Sequence, residues 1–453
     1  MRVRLRFVWA CVALVALIGA IAPVAAGGAP RAAFGDWPTY HLDALRTGYD
    51  PSTPPIGTLS QAWSVPLDGA VYGEPLMVGG RLFAATENDT LYALDPATGG
   101  VLWSKNVGTP VPLSDLPCGN IDPLGITGTP VYDPVTDRLF AVAERLHGDG
   151  SITHDLYAFD PSTGHILGSR RVDPRGSNPT VEQQRPALAL GSGRVYVDYG
   201  ALAGDCGGFH GQVVASATSL KGKLDVFIAT KYEPQAQEGG IWATPGPVID
   251  PDGNVFVAVG NGRSSDPYDY SDSVLKLTKT VHLRTYFAPT TWKSDNAHDQ
   301  DLGSMSPTLV GTSYIYQDGK LGTGYLIKQG HLGHIGGEID SATVCRAFGG
   351  TAVVGTKIYV PCLDGLRAVD VGAGSIKILW HTTTTATGPP VVGGGAVWSV
   401  DIANGVLYAL APSTGAKITS ISLGPVPHFA TPMLSGGYAF VGTMTGVVAI
   451  KGA

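Results

Sequence analysis

Arg81-Leu-Phe-Ala-Ala-Thr-Glu-Asn-Asp-Thr90-Leu-Tyr-Ala-Leu-Asp95-Pro-Ala-Thr98-Gly99-Gly-Val-Leu-Trp103 is built from short runs of β-formers separated by turn residues. With its flanks, Gly69 to Val107, it predicts four strands: Val71–Val78, Arg81–Ala85, Thr90–Leu94 and Val101–Lys105. Gly79-Gly80, Asn88-Asp89 and Pro96 to Gly100 punctuate them. The ending Leu91-Tyr-Ala-Leu-Asp95 recurs as Leu156-Tyr-Ala-Phe-Asp160, Leu366-Arg-Ala-Val-Asp370 and Leu407-Tyr-Ala-Leu-Ala411. Weaker versions end near Ser216, Thr278, Lys328 and Lys451. The last four endings, at 328, 370, 411 and 451, are about forty residues apart, the period of a four-stranded propeller blade. Earlier intervals are longer, as inserted loops require.

The eighth unit has only three strands, His428–Leu434, Tyr438–Gly442 and Gly446–Lys451. Leu59 to Leu67 supplies a fourth from the other end of the chain, closing the ring and removing its free edges. The expectation is an all-β, eight-bladed propeller of antiparallel blades over 59–453, preceded by a segment at 27–58. Composition agrees: 62 Gly and 33 Pro in 453 residues suit many turns and disfavour long helices. A formal net charge of −7 leaves no basic footprint, so nucleic acid is not an expected partner.

Arg2, Arg4 and Arg6 precede an apolar run from Phe7 to Ile21 and the small residues Val24-Ala25-Ala26. That pattern reads as an export signal over 1–26, cut after Ala26. The alternative is an uncleaved N-terminal anchor, since the run approaches the ~20 residues of a membrane span; no other stretch does. The expected location is therefore secreted or in the cell envelope. Cys118, Cys206, Cys345 and Cys362 then form two disulfides, with three connectivities open to the sequence alone. Placing them on the propeller favours Cys345–Cys362, within one unit, and Cys118–Cys206, between loops of neighbouring units. No Cys-x-x-Cys-His haem motif occurs.

Ala-x-Asp95-x-x-Thr98-Gly99-x-x-x-Trp103 narrows the type. Asp95 is placed to accept a hydrogen bond from Thr98, Gly99 to take a positive φ, and Trp103 to stack on the neighbouring blade. The pattern resembles the docking motif of quinoprotein (pyrroloquinoline quinone, PQQ) repeats, which also occur in the outer-membrane assembly lipoprotein. Degenerate copies at Asp160-Pro-Ser-Thr163-Gly164 and Ala411-Pro-Ser-Thr414-Gly415 lack the Trp.

The loop entering a blade's first strand and the loop leaving its second open on one face. Trp242, Asp299, Asp301, Arg185 and Arg346 fall at or before first strands, and Asn261 and Lys320 leave second strands. An aromatic plate, an amide, carboxylates and cations therefore face one funnel. These segments, mainly Gly239 to Gly324, resemble quinoprotein alcohol dehydrogenases, most closely the polyvinyl-alcohol dehydrogenase branch. The resemblance implies that Trp242 stacks on PQQ and that Lys320 holds it, with Arg185 and Arg346 as further cations. It implies Asn261 as a calcium ligand and Asp299 or Asp301 as the base.

Two departures weigh against catalysis. The family's metal-binding Glu and vicinal cysteines are absent around Cys206-Gly-Gly-Phe-His-Gly211, where Asp205 is the nearby carboxylate available as a metal ligand. The expected function is thus a propeller that binds a small molecule, polymer or protein partner at its channel mouth without catalysis. The alternative is a PQQ- and calcium-dependent dehydrogenase of alcohols or hydroxylated polymers. His331, His334 and Glu338, Asp250-Pro-Asp252-Gly-Asn254, and Asp266, Asp269 and Asp272 each have a looser metal-site look, and read first as polar turns and inserts.

Overall fold

In a computed structural model of the chain, the described residues are Met1, 34–230, 237–263 and 266–453. The proposed export signal lies outside them. Eight antiparallel sheets follow one another along the chain. In blade 1 the strands are Leu76–Val78, Arg81–Ala85, Thr90–Leu94 and Val101–Asn106. The first is shorter than its apolar pattern suggests. Residues ahead of it bond elsewhere: Val71 N–H donates to Thr443 O of blade 8, and Glu74 N–H to Thr129 Oγ1 before blade 2. The ring closes as the repeat arithmetic requires. Ser60–Pro66 pairs antiparallel with Gly446–Lys451, from Ser60 opposite Lys451 to Pro66 opposite Gly446.

The turn motif works between blades. Asp95 Oδ1 accepts from the N–H groups of Ala97 and Thr98, and Gly99 sits at φ +75°. Trp63 Nε1 donates to Pro96 O, Trp103 to Pro161 O, and Trp380 to Pro412 O. The two copies without a Trp of their own are therefore completed by the tryptophan of the preceding blade. A Cβ on Gly164 would stand 2.5 Å from Trp103 Cε3, so the indole fits only over glycine.

Both disulfides form as expected, Cys118–Cys206 and Cys345–Cys362, with Cα separations of 6.1 and 5.8 Å. Among the described residues no helix is long and apolar enough to cross a membrane.

The segment ahead of the closing strand runs along the inner strands, which the sequence does not disclose. Trp37 and Met77 exchange backbone hydrogen bonds. Tyr132 N–H donates to Pro38 O, Ile249 to Ala44 O, Val353 to Thr47 O and Val392 to Gly48 O. Arg46 reaches Leu188 O, and Leu45 packs into the apolar cluster of blades 4 and 5. These contacts fall on or beside the first strands, beyond their entry loops. The segment closes the axial channel below those loops.

Candidate functional site

Above that plug, the strand-entry and strand-exit loops enclose a cavity of ≈ 250 Å³. Arg185, Asp205, Trp242, Asn261, Asp301 and Lys320 all line it. Each is carried there by the expected loop: Trp242 ahead of Val248–Ile249, Asn261 after Val255–Val259, and Lys320 after Tyr314–Gln317. Asp299 stands on the rim, its side chain 66% exposed. Arg346, expected at the mouth, does not line the cavity: it is exposed, and its Nε donates to Lys320 O.

Lys320 is the hub. Its Nζ is 2.6 Å from Asp301 Oδ2 and 2.7 Å from Asp299 Oδ1. Burial works against this ammonium, but the two aspartates outweigh it and hold the pKa above the usual lysine value. The other oxygen of Asp301 accepts the N–H of Asn261. Burial raises the Asp301 pKa, and Lys320 opposes the rise.

The far wall is aromatic and cationic. The Arg185 guanidinium lies 4.9 Å from the Trp242 ring centroid and 5.5 Å from that of Phe429. Lys320 Nζ lies 5.8 Å from Trp242, and Phe348 packs against the same indole at 6.3 Å. Burial lowers the Arg185 pKa to about 10, and its Nε is buried without a hydrogen-bond partner. A second, small cavity shares Arg185 and Phe429 with this one, and Tyr40 of the plug helps to line it.

Glu238, Phe348 and Phe429 also line the cavity and were not among the expected residues. Phe348 and Phe429 obey the same strand-entry rule. Glu238 has no such signal: it is held at φ +73° by bonds to Phe209 O and from Gly211 N–H. Its carboxylate accepts from Arg263 Nε at 3.2 Å.

The looser candidates resolve into packing and turns. His334 stacks on Tyr286 at 4.7 Å. Asp250 closes its turn on the backbone and amide of Asn254. Asp269 and Asp272 accept backbone N–H groups of Ser271 and Leu302. Among the described residues, no three His, Cys, Asp or Glu side chains are gathered to hold a metal ion.

A flat aromatic floor, two converging cations and an unbonded buried N–H donor suit a planar polyanion such as PQQ. Residues 58–421 match the repeat family described as outer membrane protein assembly factor BamB. The chain belongs to that family. Within this repeat family's wider kin, the chain is 24% identical over 299 residues to the polyvinylalcohol dehydrogenase of Sphingopyxis sp. (strain 113P3). That match covers 58% of this chain and 42% of the relative, so the chain spans less than half of that protein. The quinohemoprotein alcohol dehydrogenase of Comamonas testosteroni shares the fold at TM-score 0.70 and 16% identity, over 92% of this chain and 80% of that one. BamB of Moraxella catarrhalis does so at 0.59 and 14%, over 87% and 99%.

Proposed function

We propose that this member of the BamB-type repeat family is an oxidoreductase of the quinoprotein kind, binding PQQ at the channel mouth and oxidising hydroxyl-bearing substrates. Arg185 carries the reading: a half-buried guanidinium over Trp242, with its Nε buried and unbonded, calls for a planar anionic partner. When bound, PQQ supplies the acceptor for the hydride of an alcohol carbon. The protein's part is to seat it on Trp242, to hold its anionic groups with Arg185 and Lys320, and to take the hydroxyl proton. Asp301 is the base, because it is the buried carboxylate of the pocket and burial raises its pKa above the usual aspartate value, which favours proton uptake.

This reading is preferred to ligand binding without catalysis for one reason. A passive site uses the plate and the cations, but gains nothing from a desolvated carboxylate beside them. The substrate, small or polymeric, enters from the open face. The two disulfides fit an oxidising compartment outside the cytoplasm, consistent with an export signal at 1–26.

The test is titration of the purified chain with PQQ, followed by quinone absorbance and dye-linked oxidation of primary and polymeric alcohols. Binding with substrate-dependent bleaching is expected. Binding without oxidation returns the site to a non-catalytic role, and no binding removes the quinone reading.

A further inference from the structure

We propose, resting on the reading above, that the pocket holds its anionic ligand without a divalent cation, the Lys320 ammonium standing where such a cation would act. A hard cation such as calcium needs six to eight oxygen ligands. The acids at this mouth already serve cations and a backbone donor, and the one that is deeply buried has both oxygens engaged. Asp301 gives one oxygen to the Asn261 N–H and the other to Lys320 Nζ. Asp299 gives Oδ1 to the same ammonium, and Glu238 gives Oε1 to Arg263. Asp205 at the mouth is exposed, as is Asp299. A metal would have to displace Lys320 from two aspartates and take its remaining oxygens from exposed acids and one amide, short of the six to eight it needs.

Lys320 is not free to yield. Its N–H donates to Asp301 O, and its C=O accepts from Arg346 Nε. The backbone is thus clamped at both ends, and the side chain is 16% exposed. Arg346 acts here as a positioning residue from outside the cavity. An ammonium has three N–H donors. Two are taken by Asp299 and Asp301, and the third remains for a ligand lying on Trp242. With a ligand bound there, the ammonium would supply from the chain itself the positive charge that a divalent cation would otherwise bring.

The experiment uses the full chain, stripped with a chelator and passed over chelating resin. PQQ is titrated in the presence of chelator and again in excess calcium, with tryptophan fluorescence and quinone absorbance as readouts. Binding of equal affinity in both supports the proposal. Binding that requires calcium, or tightens tenfold or more with it, overturns the proposal and leaves the quinone reading standing. No binding in either overturns both. The Lys320→Gln variant gives a second readout, with correct folding checked by circular dichroism. Loss of one charge-assisted contact should weaken PQQ by about ten- to a hundredfold. Because Asp299 and Asp301 are then released, added calcium should restore part of that affinity in the variant only. A variant that calcium does not help, beside a wild type that it does, contradicts the exchange of one cation for the other.

Discussion

Asp301 is 4% exposed, bonded through one oxygen to the Asn261 N–H and 2.6 Å from Lys320 through the other. An amide in its place keeps the shape and loses the charge. The expected outcome for Asp301→Asn is a fall of about 10²–10⁴ in alcohol turnover, the usual worth of a positioned base. PQQ affinity should stay within a few fold, since Arg185, Trp242 and Lys320 remain. Steady-state dye-linked kinetics beside a binding titration checks this; parallel loss of both would make Asp301 a structural residue. At this scale the sequence is informative wherever a side chain sits at a strand entrance or exit, because the propeller brings those points together. Trp242, Asn261, Asp301 and Lys320 were legible for that reason. Glu238 was not, because a left-handed residue in an irregular loop follows no strand rule.

Blades 1 to 3 are joined by ionisable groups that no repeat pattern reveals. His154 is fully buried, 3.1 Å from Glu144 and 2.7 Å from Asp173. Burial lowers its pKa, but the two carboxylates outweigh burial and raise it to about 10. Raised above its unfolded value of about 6.5, this histidine stabilises the fold fully below that pH, and the benefit is lost as pH rises through about 10. Nearby acids push the same way. Burial raises Glu87 and Asp89 to about 8 and Glu182 to about 7. They keep protons in the fold that the unfolded chain releases near pH 4, so stability falls as pH climbs toward 8. Melting temperature should therefore decline steadily from pH 5 to pH 10. A maximum above pH 8 would contradict it, and His154→Gln should flatten the alkaline part. The strands were readable from runs of β-formers between turn residues, whereas Glu144 faces His154 across two adjacent strands and Asp173 joins them from beyond the next strand, a set that no repeat spacing marks.

The whole ring is held in two ways, and only one was visible beforehand. Closure by Ser60–Pro66 follows from counting strands, since three at one end demand a fourth from the other. The plug does not follow from counting, because residues 35–57 carry neither alternation nor a repeat. Yet Trp37 is 1% exposed, Tyr40 2% and His41 0%, and burial lowers the His41 pKa to about 3, keeping its ring neutral. Tyr40 stacks on His41 at 4.2 Å and bonds Thr431 of the last blade, while Trp37 pairs with the first. The segment thus ties both sides of the closure and floors the pocket. Removing one such aromatic costs about 3–5 kcal/mol, against a total domain stability of about 5–15 kcal/mol. A chain starting at Thr58 loses Trp37, Tyr40, His41 and Arg46 together while keeping the closing strand. It should unfold at or near room temperature or persist only as an opened ring, and a chain starting at Ala33 should melt like the full one. Trp37→Ala should fall between them. Differential scanning calorimetry of the three, with PQQ titration of any that fold, decides the matter. If the Thr58 chain melts with the full one, the plug is dispensable and the ring is stable through closure alone. If it folds but has lost PQQ affinity, the plug's contribution is to the floor beneath Arg185.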